Sequence, residues 1–98
     1  MERKVVVTGI AKRKLEKLFI YLEENWSAKV KTDFIKKLDK NISLIKLQPE
    51  LFPESEKELG LRKCVVTKHT SLFFKSNEKE IQILTIFDNR QDPDKLKI

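Results

Sequence analysis

Ninety-eight residues, 40% of them hydrophobic and 37% charged, with two Gly, three Pro and one Cys, exclude collagen-like, low-complexity and disulfide-scaffold classes. The length fits one domain over 1–98, and area scaling has about two thirds of the open chain's surface buried on folding. The net charge of +6 is lopsided: residues 1–50 carry 12 Lys/Arg against 7 Asp/Glu, residues 51–98 carry 9 against 8. Seventeen of the 21 cations are Lys. Solvated basic faces of this kind predict an acidic partner, protein or nucleic acid.

No apolar run approaches the ~20 residues of a membrane span, so no membrane partner is expected. The amino terminus leads directly into a strand-like run, without the apolar stretch and cleavage site of a secretory signal. Cys64 has no Cys or His at metal-ligand spacing. A cytoplasmic setting without metal or cofactor is the expectation.

Lys4 to Val7 form a β-branched strand stopped by Thr8 and Gly9, and Thr8 is placed to cap a helix over 10–25. Ala11, Leu15, Leu18, Phe19, Leu22 and Trp26 recur at steps of three and four, which predicts one buried helix face with Trp26 in the core. Cations precede anions along the opposite face, against the helix dipole, so tertiary packing has to stabilise this helix. Ser27 is the cap of a second helix over 28–47, with Val30, Phe34, Leu38, Ile42 and Ile45 on one face. Ile35, Leu44 and Leu47 widen that face and predict cover on more than one side. The short link makes the two helices an antiparallel hairpin.

Pro49 and Pro53 forbid helix through 48–60. An acidic crossover loop follows, with Leu51 and Phe52 expected to tuck onto the core. Strands are predicted over 61–67, 70–75 and 81–87 as an antiparallel meander. The last, Ile81 to Phe87, is apolar on both faces, as befits an interior strand. The tail is polar, with Leu96 and Ile98 as apolar anchors. The expected fold is α+β: strand, helix, helix and three strands, with the helical hairpin packed on one face of a small, mostly antiparallel sheet whose other face is open.

In this order several segments resemble the RelE/ParE superfamily of bacterial type II toxins. They are Val7-Thr8-Gly9-Ile10-Ala11, Tyr21-Leu22-Glu23-Glu24-Asn25-Trp26-Ser27, Gln48-Pro49-Glu50-Leu51-Phe52-Pro53, Gly60-Leu61-Arg62, Leu72-Phe73-Phe74, and Ile83 through Asp92-Pro93. The Pro-Glu-Leu-Phe-Pro loop and the Glu-Glu-Asn-Trp-Ser turn are more similar to the ParE-like, plasmid-stabilisation branch. The resemblance implies a toxin neutralised by an acidic antitoxin, with any DNA contact made through the antitoxin. ParE-like members inhibit DNA gyrase, whereas RelE-like members cut mRNA on the ribosome without a metal.

Metal-free RNA cleavage needs a base, an acid and cations on the phosphorane. Relatives with that activity end in a His-Gly-Arg-Arg-Asp-Pro type of segment; here Asp88 holds the His position, Arg90 the first Arg and Gln91 the second. An ionised Asp cannot donate a proton at neutral pH, so the ending argues against efficient RNase activity, and the ParE-like resemblance implies a gyrase inhibitor that acts by binding. The alternatives are a ribosome-dependent mRNA interferase using Arg62, His69, Asp88 and Arg90, and a decayed toxin that retains antitoxin binding alone. Arg62, Lys63, Lys68 and Arg90 are the expected target- or anion-binding residues. If the strand ends lie side by side, Arg62 and Arg90 face one anion; the competing role is a salt bridge to Asp88 or Asp92. His69 is more plausible as an exposed turn imidazole than as a catalyst, and Cys64 as a small core residue.

Overall fold

A computed structural model of the chain describes residues 3–91 and Leu96. The order is β1 (Lys4–Val7), α1 (Gly9–Asn25), α2 (Ala28–Leu47), a 3₁₀ turn (Pro49–Leu51), β2 (Arg62–Thr67), β3 (Thr70–Ser76) and β4 (Glu80–Asp88). One sheet of four strands runs β1-β4-β3-β2, with β1 parallel to β4 and the rest antiparallel. The α+β hairpin-on-sheet architecture expected from the sequence is the one observed.

Both helix starts follow from their caps. Thr8 Oγ1 accepts from Ala11 N at 3.1 Å and Ser27 Oγ from Val30 N at 3.1 Å, each satisfying a first-turn donor. Between the helices, Trp26 N and Ser27 N both donate to Leu22 O, which ends α1 and turns the chain. No acid occupies the first turn of α1 and no base its last, so its stability comes from packing. Phe19 meets Phe34 of α2 edge to face at 6.2 Å. Leu15, Leu18, Phe19 and Leu22 then pack on the core that holds Phe74, Leu72, Ile81 and Ile83.

A bulge in β4 sets which side chains face the helices. Phe73 is opposite Thr85 while Phe74 is opposite Ile83, so Leu84 is the extra residue. Ile83 and Ile86, three apart, therefore both reach the core under the helices, whereas Leu84 and Phe87 reach a second cluster with Leu61, Phe73 and Leu96. The bulge carbonyl, Leu84 O, is bonded at 2.7 Å by the Thr8 hydroxyl, the same group that caps α1.

Several expectations need correction. The second cluster partly covers the face expected to be open. Trp26 is 68% exposed, because the chain leaves the helix at that residue and the side chain departs from the stripe. Leu44, Leu47 and Leu51 are also exposed: α2 is covered on one side only, through Phe34, Leu38 and Ile45. Phe52 does return, edge to face on Phe74 at 5.8 Å. The chain beyond it hems the β2 edge, through Lys63 N to Pro53 O and Ser55 N to Leu61 O. Gly60, at φ 80°, makes the left-handed turn into β2. Asp92, Pro93 and Ile98 lie outside the described residues.

Candidate functional site

The end of β4 meets the turn between β2 and β3. Thr70 pairs with both Thr67 and Asp88, and Asn89 fastens the junction: its N–H donates to His69 O at 2.8 Å and its Oδ1 accepts from Ser71 Oγ at 2.8 Å. Asp88 is thereby held where Arg90 folds back on it. Its Oδ1 accepts from Arg90 N and Nε at 2.9 and 3.0 Å, and its Oδ2 from Nη2 at 2.8 Å. Those hydrogen bonds keep the Asp88 carboxyl below the usual carboxylate range. At neutral pH the pair is ionised, and Asp88 has no proton to donate.

Lys14 of α1 reaches the same place. Its Nζ donates to Oγ1 of the fully buried Thr85 at 2.9 Å. Much of the side chain remains in water, but desolvation at its end lowers the ammonium's pKa. Together Lys14, His69, Asp88, Arg90 and Gln91 line a cleft of about 240 Å³. It adjoins a larger groove of about 480 Å³ between the helical hairpin and the β2–β3 turn, walled by Leu18, Leu22 and Phe34 and edged by Tyr21, Trp26, Val30 and Lys37. Leu18, His69, Thr70 and Arg90 belong to both.

The other named residues lie elsewhere. Arg62 is opposite Phe74, on the helix side of the sheet; its Nη1 donates to Phe52 O, and Nη2 is 3.6 Å from Glu54. Thr67 lies five positions further along β2, a span of roughly 16 Å, so Arg62 and Arg90 do not face one anion. Arg90 takes the Asp88 salt bridge and Arg62 a different one. Lys63, opposite Phe73, lines a cleft of about 560 Å³ on the far face with Phe87, Asn89 and Leu96. Lys68 and His69 are exposed in the turn. Cys64 is buried, and burial pushes its thiol up to about 11.

Sequence reasoning passed over the roles of Lys14, Asn89 and Tyr21, and it assigned to the core the Trp26 that stands exposed at the groove edge. Lys14 had a legible signal: it stands three residues after Ala11 and four before Leu18, on the buried stripe itself. Asn89 had none, since its role depends on the β3–β4 register.

A four-stranded sheet with a helical hairpin on one face is a fold shared with solved structures from toxin-antitoxin systems. A chain of the chromosomal ParDE toxin-antitoxin system from P. aeruginosa superimposes with a TM-score of 0.73 at 16% identity, covering 89% of this chain and 96% of that one. The E. coli DinJ-YafQ toxin-antitoxin complex gives 0.64 at 12% identity, covering 92% and 96%. The YoeB dimer from Staphylococcus aureus gives 0.64 at 12%, covering 89% and 97%. Comparison with curated protein sequences returns no match. The family pattern described as "ParE toxin of type II toxin-antitoxin system, parDE" matches residues 5–93. The chain belongs to that family: it is the toxin of a type II toxin-antitoxin system. Among the described residues no helix is long and apolar enough to cross a membrane.

Proposed function

We propose that this toxin acts by binding, with DNA gyrase as its target, and that an acidic antitoxin neutralises it in the cytoplasm. The observation that carries the first part is the Asp88–Arg90 pair. Where RNA cleavage calls for an acid and a free cation, this chain has an ionised carboxylate whose partner guanidinium is already engaged through two nitrogens. Arg62 supports the same reading, because its guanidinium ties the crossover loop to β2 instead of facing a phosphate. For the antitoxin, support comes from family membership and from the hairpin cations, whose excess over anions is concentrated in residues 1–50.

The test expresses the toxin without its antitoxin and follows transcript cleavage and plasmid supercoiling in the same cells. The expected outcome is altered supercoiling with intact transcripts. Rapid, codon-phased mRNA cleavage with normal supercoiling would overturn this reading in favour of a ribosome-dependent interferase. Loss of both effects in a chain that still binds antitoxin would identify a decayed toxin.

A further inference from the structure

We infer that the cleft at the end of β4 is a receptor for a carboxylate of a protein partner, taken by Lys14 with Arg90 beside it. The adjoining groove under Trp26 takes a bulky aliphatic side chain close to that carboxylate in the partner's chain. This deepens the antitoxin reading above and rests on it, since the partner segment it requires is acidic and apolar.

The charge balance of the cleft is the first argument. Among the described residues no carboxylate pairs with Lys14; its ammonium leans on the Thr85 hydroxyl, which uses one of its three N–H groups. Asp88 is committed to Arg90. Lys14, Arg90 and Asp88 therefore leave one net positive charge against a partly desolvated wall, and a single anion neutralises it. The Thr85 bond fixes the position of the ammonium, and an incoming carboxylate gains a charge-assisted hydrogen bond from the N–H groups that this bond does not use.

The shape of the neighbouring groove is the second argument. Leu18 and Arg90 belong to both spaces, so the charged end opens into a groove with an apolar wall of Leu22, Val30 and Phe34, lined also by Trp26, Asp33 and Lys37. A nucleic-acid strand held by Lys14 would set its sugars and next phosphate against that wall. A peptide can set an aliphatic side chain there and its carboxylate on Lys14. Trp26, 68% exposed, is the large aromatic left to close over such a side chain.

Trp26 is the only tryptophan of the chain, so its emission reports on this groove. The probe is the full-length cognate antitoxin, with any tryptophan of its own replaced by Phe, titrated into the intact toxin. Binding should shift Trp26 emission to the blue. Lys14→Met should weaken affinity on the order of tenfold, without lowering the thermal midpoint, and should flatten the salt dependence. Lys14→Arg should recover most of the affinity. A complex that forms while Trp26 emission stays unchanged, or that Lys14→Met binds as tightly as wild type, would overturn the site while leaving the antitoxin reading intact. A single-stranded oligonucleotide that shifts Trp26 where the antitoxin does not would also overturn it. If size-exclusion chromatography detects no complex at all, the antitoxin reading itself fails and the site with it.

Discussion

Thr8 carries two unrelated duties on one hydroxyl, and Thr8→Val separates that hydroxyl from the volume around it. Oγ1 accepts from Ala11 N to cap α1 and donates to Leu84 O, the carbonyl released by the β4 bulge. Valine keeps the β-branched shape, and the extended backbone at this position, φ −67° and ψ 159°, suits it. The cap is worth about 0.5–2 kcal/mol. The partly buried Leu84 carbonyl, left without its donor, adds about 1 kcal/mol. The combined loss of about 1.5–3 kcal/mol should lower the melting temperature by roughly 6–24 °C for a domain of this size. Urea denaturation gives the free energy, and Thr8→Ser, which retains both bonds, should remain within about 0.5 kcal/mol of wild type. If Thr8→Val is also that mild, the coupling of helix start to bulge is not what stabilises this junction.

Phe74 is fully buried, so Phe74→Ala should cost about 3–5 kcal/mol in the same denaturation assay. Arg62→Ala should cost about 1–2 kcal/mol by leaving the Phe52 carbonyl without its donor, and protease digestion should show earlier cutting in the loop before β2. Cys64, its thiol pushed up to about 11, should resist a thiol-specific disulfide reagent at pH 8 until the chain unfolds. Its contribution is complete below the unfolded thiol's pKa near 8.5–9 and is lost as pH rises toward 11, so stability should decline across that alkaline window. The Asp88 carboxyl has the opposite sign: its folded pKa is depressed, so its contribution is present above about pH 4 and fades as pH falls further. Because the pair stands in solvent, the difference between wild type and Asp88→Asn along that acid limb should stay under about 1 kcal/mol.

Local chemistry made most of the fold legible. The Thr8 and Ser27 caps, the stripe from Ala11 to Leu22 and the double-sided apolar run in β4 each act within a few residues, and each was found where spacing put it. Trp26 failed for a definable reason: periodicity continues past the point where the backbone has already left the helix. Leu44 and Leu47 failed because a wide apolar face does not reveal whether a second layer exists to cover it. The candidate site was legible in composition but not in geometry. Asp88 and Arg90 were identified as an altered ending, and their salt bridge was one of the roles considered. Arg62 was placed beside them because strand ends alone do not fix parity or direction. One residue of register turns a side chain to the other face, and the β2–β3 pairing puts Lys63, not Arg62, on the face away from the helices.

That inversion bears on mechanism as well as on topology. On the face away from the hairpin, Leu61, Phe73 and Phe87 pack together, Phe73 against Phe87 edge to face at 6.3 Å, with Leu84 and Leu96 joining them. Of the cations considered at the outset, Lys63 alone lines the cleft on this face. A phosphorane needs several preorganised donors around it, and this cleft sets Lys57 and Lys63 beside Glu56 and an aromatic wall of Phe73 and Phe87. The cations that do converge, Lys14 and Arg90, lie at the end of the sandwich, where an apolar groove adjoins them. Charge beside an apolar wall can take a carboxylate and an aliphatic side chain of one protein partner, and the proposed binding function and carboxylate receptor both draw on this part of the molecule.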